Sequence, residues 1–183
     1  MAHRDGDTAL RMRRLLVVAI AAAITLLADL SSKAWAWHEL RPHPHPPRMP
    51  IPGVLHFAFS LNTGAAFGML RDASWSRHLL VAVAIAVVAY LVRLAWRWPG
   101  RAWLAAVGIG LLMGGALGNL HDRLTRGVKV YGEGVRHGVV DFIVVYYWPG
   151  RPWPAFNLAD VALLLGMIVV AWSLWQHRAA LAR

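Results

Sequence analysis

At 183 residues, 58% of them hydrophobic and 15% charged, the chain departs far from an ordinary soluble domain and reads as a small polytopic membrane protein. Its formal charge of +10 invites a nucleic-acid partner, but the basic residues fall in short stretches at the ends of apolar runs, as membrane topology requires, so no nucleic acid is expected. The absence of cysteine excludes disulfides, thiolate nucleophiles and cysteine metal sites.

Arg4, Arg11, Arg13 and Arg14 precede an apolar run from Leu15 to Ala28. This imitates a signal peptide, and Ala34-Trp35-Ala36 even imitates a cleavage site. Three more long apolar segments follow, so an uncleaved transmembrane helix over 15–37 is expected. Asp29 and Lys33, four apart on one helical face, predict an ion pair at the membrane boundary with Lys33 snorkelling outward. From His38 to Pro52 proline, histidine and arginine dominate, which predicts an exposed loop. His38, His43 and His45 have no carboxylate at ligand spacing, so no metal is expected there. Gly53 to Leu61 favours a strand that delivers Asn62-Thr63-Gly64-Ala65-Ala66-Phe67. In that segment Gly64 and Ala65 permit close backbone approach, while Asn62 offers both a donor and an acceptor.

A second helix is predicted over 75–96 and a third over 102–121, joined by a short connection crowded with Arg97 and Arg101. Gly110, Gly114 and Gly118 recur every four residues along the third, which predicts a smooth face against another helix. Asn119, Asp122 and Arg123 share a face where it ends, either as a self-satisfied terminus or as part of a site. The outer loops are then 38–74 and 122–156.

The second loop and the fourth helix, expected over 157–176, contain two carboxylates in apolar sequence, Asp141 and Asp160. An ionised acid in or next to hydrocarbon costs roughly 2.5–3.5 kcal/mol on insertion scales, so it usually faces a partner or a wet cavity and marks function. Asp160 also has a structural reading, because Asn157 three residues before it looks like a helix N-cap with an acid in the first turn. Asp141 has no such reading. Two acids at one depth can share a proton, the arrangement by which an aspartic protease activates water. All ten tryptophans lie near predicted helix ends or in adjoining loops, an aromatic belt that supports the four boundaries. The denser basic charge around both termini and Arg97 puts both termini in the cytoplasm and Asn62, Arg123, Asp141 and Asp160 at the outer face.

The segments 62–67 (NTGAAF), Gly118-Asn119 with Asp122-Arg123, Val139-Val140-Asp141-Phe142, and Phe156-Asn157 with Ala159-Asp160 resemble, in order and position, the motifs of the lipoprotein signal peptidase (signal peptidase II) family. Asp29 with Lys33 resembles its first-helix motif, and the resemblance runs from about Leu15 to Trp175. It implies an all-α polytopic membrane protein: four transmembrane helices, a small extracytoplasmic β-containing region and one membrane domain over 1–183. By this likeness Asp141 and Asp160 are the catalytic pair of an aspartic endopeptidase in the bacterial cytoplasmic membrane. Asn62, Gly64, Ala65, Asn119, Asp122, Arg123, Asn157 and Ala159 bind substrate or orient the acids, and Asp29 with Lys33 is a structural polar pair. The implied substrate is a diacylglyceryl-modified prolipoprotein, cut just before its lipidated cysteine by a monomer amid membrane lipids. Globomycin-type inhibitors are expected to act on it, and neither metal nor cofactor is needed. The interval between Arg123 and Asp141 is longer than the family's, with 129–134 (KVYGEG) as an insertion that displaces neither acid, and the Pro/His loop at 41–50 is also idiosyncratic.

Other functions fit less well. A proton-coupled transporter should place its acids near the midplane with broken helices or repeats. Serine chemistry lacks a Gly-x-Ser-x-Gly motif. An assembly protein would use the acids only as caps and anchors.

Overall fold

The computed structural model describes residues 2–42, 48–64, 75–98, 103–131 and 134–181. Four long helices form its frame: α1 (Ala2–Trp35), α2 (Ser76–Arg97), α3 (Trp103–Thr125) and α4 (Leu158–Leu181). Each provides a span long and apolar enough to cross a membrane: Thr8–Leu40, Ser76–Arg97, Trp103–Thr125 and Leu158–Gln176. The protein is a multi-pass membrane protein. Ile24, Leu27, Ile85, Leu164 and Ile168 stand exposed on the outer faces, where hydrocarbon accepts side chains that water penalises.

The third helix is the central one, packed against α1 on one side and α4 on the other. Its glycines make both approaches possible. A Cβ added at Gly114 would lie 2.5 Å from Thr25 Cβ and 2.7 Å from the Ala22 carbonyl of α1, and one added at Gly115 would lie 2.7 Å from the Ala159 carbonyl of α4. Gly114→Ala is therefore expected to force α1 away from α3 and to destabilise the fold by about 1–3 kcal/mol, the usual range for overpacking. Thermal unfolding in detergent checks this; an unchanged midpoint would mean that the helices can part without loss.

Beyond its last α-turn, α1 continues as a π-helical turn, Ala36–Leu40. The strands are β1 (Arg48–Ile51), β2 (Leu55–Asn62), β3 (Gly127–Val130), β4 (Gly134–His137), β5 (Val139–Trp148) and β6 (Arg151–Pro152). One antiparallel sheet has the order β1-β2-β5-β6, while β3 and β4 form a separate hairpin. Rich in valine, isoleucine and aromatic residues, β5 suits a pleated, half-buried surface. The sheet is seated on the end of α1 by apolar packing. Ala36 and Leu40 are buried against Val140 and Phe142, and the ring of Trp35 meets Phe57 and Phe142 edge-on at 5.5 and 5.9 Å.

Two local devices fix what the sheet and helices present. From the first turn of α2, Arg77 donates to the carbonyls of Arg123 and Leu124 at 3.0 and 3.3 Å, satisfying the open end of α3. A register shift between Phe57 and Ser60 makes β2 one residue longer than the stretch of β5 it faces, so Ser60 pairs with Asp141 and Asn62 with Val139.

Candidate active site

Asp141 is the third residue of β5 and only 3% exposed. Asn62 lies diagonally across the strand pair on the same face. Its Nδ2 donates to Asp141 Oδ2 at 3.1 Å, and its Oδ1 accepts the Gly64 N–H at 3.1 Å, so the turn holds the amide with its donor end toward the acid. Asn157 Nδ2 donates to the other oxygen, Oδ1, at 2.6 Å.

Asp160 stands in the first turn of α4 and forms a reciprocal cap with Asn157. The Asp160 N–H donates to Asn157 Oδ1 at 3.1 Å, and the Asn157 N–H donates to Asp160 Oδ2 at 3.2 Å. The capping reading of Asp160 is thus geometrically right and does not exhaust the residue. With its own oxygen committed to the cap, the Asn157 amide turns its NH2 toward Asp141 and, at 3.3 Å, toward Asn119 Oδ1. Asn119 Nδ2 in turn donates to Asp160 Oδ1 at 3.0 Å. Asn157 and Asn119 therefore bridge the two carboxylates, one from a strand and the other from the helix that follows it after the short β6.

The charge balance at this bridge favours a proton on Asp141. Burial, followed by the negative charge of Asp160, pushes Asp141 up to about 7, while donation from Asn62 and Asn157 and the charge of Lys33 oppose the rise. Arg123, half-buried on α3, stands within electrostatic reach of both acids and of Asp122. Near neutrality one carboxyl group can keep a proton while its neighbour is charged, the condition for taking a proton from water on one side and giving one on the other.

Behind the pair lies a second polar layer, and here one expectation fails. Lys33 does not snorkel outward: it is 0% exposed, 2.8 Å from Asp29 Oδ2 and 3.3 Å from Asp122 Oδ2, and it donates to Asn119 Oδ1 at 2.8 Å. The Asp29–Lys33 contact is a charge contact without an aligned hydrogen bond. Lys33 turns inward because three acceptors there replace its water, which a lone ion pair at the boundary would not do. Asp122, fully buried, accepts the N–H of Val140 at 3.1 Å, and Asp29 accepts the N–H of Ala159 at 2.9 Å.

Asn62, Gly64, Asn119, Asp122, Asn157 and Ala159 all meet in these two layers, whereas Ala65, like His43 and His45, lies outside the described residues. Arg126 was not anticipated. Its Nε lies 2.9 Å from Asp122 Oδ1 and its Nη1 donates to the Lys33 carbonyl at 2.9 Å. The signal was the Asp122 to Arg126 spacing of four, hidden by ending the third helix at 121 when it runs to Thr125.

A sequence profile described as Signal peptidase (SPase) II matches residues 21–176. A lipoprotein signal peptidase of Teredinibacter turnerae is 38% identical over 152 residues, 82% of each chain. One from Pseudomonas aeruginosa strain UCBPP-PA14 is 37% identical over 157 residues, 85% of each chain. Among solved structures, a bacterial membrane enzyme determined in meso at 1.9 Å superposes with a TM-score of 0.70 at 26% identity, covering 86% of this chain and 91% of its own. Another, determined at 2.3 Å, gives a TM-score of 0.72 over 89% and 90% of the two chains; at 24% identity it speaks to the fold alone.

Proposed function

The chain belongs to the signal peptidase II family, and from that membership we propose that it is a membrane aspartic endopeptidase that removes the signal peptide from lipid-modified bacterial prolipoproteins. The observation that carries the catalytic assignment is the bridge of Asn157 and Asn119 between Asp141 and Asp160, with Asp141 disposed to be neutral. Asp160 takes a proton from a water molecule as the water oxygen attacks the scissile carbonyl carbon. Asp141 gives its proton to the carbonyl oxygen. Collapse of the tetrahedral adduct returns that proton to Asp141 and breaks the C–N bond, while Asp160 passes its proton to the leaving amine. No covalent intermediate forms. Asn62 and Asn157 hold Asp141 in place through the cycle, and Arg123 faces the single negative charge that the pair keeps as it passes from one acid to the other.

The cut falls just before the cysteine that carries the diacylglyceryl group, at the outer face of the cytoplasmic membrane, with both termini in the cytoplasm. Support for that orientation is the density of basic residues at the end of the bundle remote from the sheet, including Arg11, Arg14, Arg93 and Arg97. The apolar surroundings suit both the lipid and the hydrophobic region of the signal peptide, which accounts for building such a protease in a membrane.

Incubating the purified protein with lipid-modified and unmodified forms of one prolipoprotein tests the proposal. Cleavage of the modified form alone, at the bond before the cysteine and blocked by globomycin, is expected. Equal cleavage of both forms would refute the lipid requirement, and cleavage of neither would refute the activity.

A further inference from the structure

Lys33 takes no part in the proton transfers above, yet an ammonium buried this completely is retained only where its surroundings are organised around it. Each of its three neighbours holds one part of the acid pair. Asp29 Oδ1 accepts the N–H of Ala159, the residue before Asp160, at 2.9 Å. Asp122 Oδ2 accepts the N–H of Val140, the residue before Asp141, at 3.1 Å. Asn119, whose Oδ1 accepts a hydrogen bond from Lys33 Nζ at 2.8 Å, thereby directs its Nδ2 to Asp160 at 3.0 Å.

We infer that Lys33 is a positioning residue for the acid pair: from α1, which carries neither acid, one buried cation sets the separation of the strand and helix that carry them. The inference rests on the acid-pair reading given above.

The arrangement has a physical logic in the number of acceptors. A carboxylate can give one oxygen to a backbone N–H and the other to a cation, whereas an asparagine has one acceptor and would turn an N–H toward Lys33 or toward the backbone. Asp29 meets this demand with its two oxygens on opposite tasks. Asp122 serves Val140 and Lys33 through Oδ2 and meets Arg126 through Oδ1. In this layer two cations, Lys33 and Arg126, face two carboxylates, Asp29 and Asp122, with the His121 ring 3.6 Å from Asp122 at its edge. Gly118 completes the fit: a Cβ there would run into the Asp29 carboxylate.

The test compares wild type, Lys33→Met, Gly118→Ala and Asp141→Asn as full-length proteins in detergent micelles with a lipid-modified prolipoprotein. Lys33→Met is expected to lower kcat about a hundred-fold, the penalty typical of reacting groups displaced by about an ångström. KM should stay within about three-fold, since transition-state rather than ground-state contacts are lost. Amide exchange should quicken at Val140 and Ala159 while α2 keeps its protection, and the alkaline limb of the rate should move to higher pH because a cation near Asp141 is gone. Gly118→Ala keeps every charge but displaces Asp29; it should lower kcat about ten-fold with the limb unmoved. It carries the test alone if Lys33→Met does not fold. Turnover within three-fold of wild type in a folded Lys33→Met or in Gly118→Ala would overturn the inference, as would a loss of kcat without faster exchange at Val140 and Ala159. An active Asp141→Asn would sink the acid-pair reading itself, whereas an inactive one beside a fully active Lys33→Met sinks the positioning role alone.

Discussion

Asp141→Asn is expected to abolish cleavage and at the same time to remove a pH-dependent weakness from the fold. The loss of rate follows from deleting one partner of a two-acid proton relay, worth about 10²–10⁴-fold for the positioned acid alone. The stability effect follows from where the carboxyl is held. A carboxyl group has a pKa of about 3.8 when unfolded, whereas the folded protein raises that of Asp141 to about 7. Between these values the native state holds a proton that the unfolded chain has released. Stability therefore falls as pH rises from about 4 to about 7 and levels off above, with a total of about 4 kcal/mol at 1.36 kcal/mol per unit. An asparagine does not titrate. The stability of the variant relative to wild type should grow across that window, whatever its offset at pH 4. Melting curves of the two proteins at pH 4, 5.5, 7 and 8.5 measure this directly, and parallel dependences on pH would show that Asp141 is not held in its neutral form.

The rate itself is expected to carry an alkaline limb near neutrality. Above about pH 7 Asp141 loses the proton it must donate, so kcat/KM should fall about ten-fold per unit. Because the acids interact, the midpoint belongs to the pair, and its direction of movement in variants is the sharper observable. Asn62 donates to Asp141 and favours its charged form, so Asn62→Ala should shift the limb upward as well as slow the reaction. A profile that stays flat to pH 9, or a limb that moves down in Asn62→Ala, would contradict the assignment of the resident proton to Asp141.

The elements legible from sequence were those with a strong physical signature. Nineteen uncharged residues from Ala102 to Leu120 can hardly be anything but a span, and Gly110 and Gly114 announced the helix contact they make with α1. Asp141 was recognisable because a carboxylate in a valine and aromatic run has few innocent explanations. What it leans on was not. Asn62 meets it through strand pairing shifted by a bulge, and pairing register is set by partners remote in the chain. Lys33 was misread for a related reason. The spacing of Asp29 and Lys33 reveals their common face but not that a third helix brings Asn119 and Asp122 against that face, and those acceptors decide whether a lysine reaches outward or inward. Arg126 was missed through a helix end misplaced by a few residues, an error small in length and large in chemistry.

The β3–β4 hairpin leaves and returns at one point. The N–H of Gly138 closes its neck on the Arg126 carbonyl at 3.2 Å, and the ladder beyond pairs Gly127 with His137 through Val130 with Gly134. Just inside that neck sit Asp122 and Val140, already bonded to each other. The flap thus touches the chemistry beneath only through that neck, so an engineer attaching a fluorophore at its far end is expected to meet small mechanical consequence.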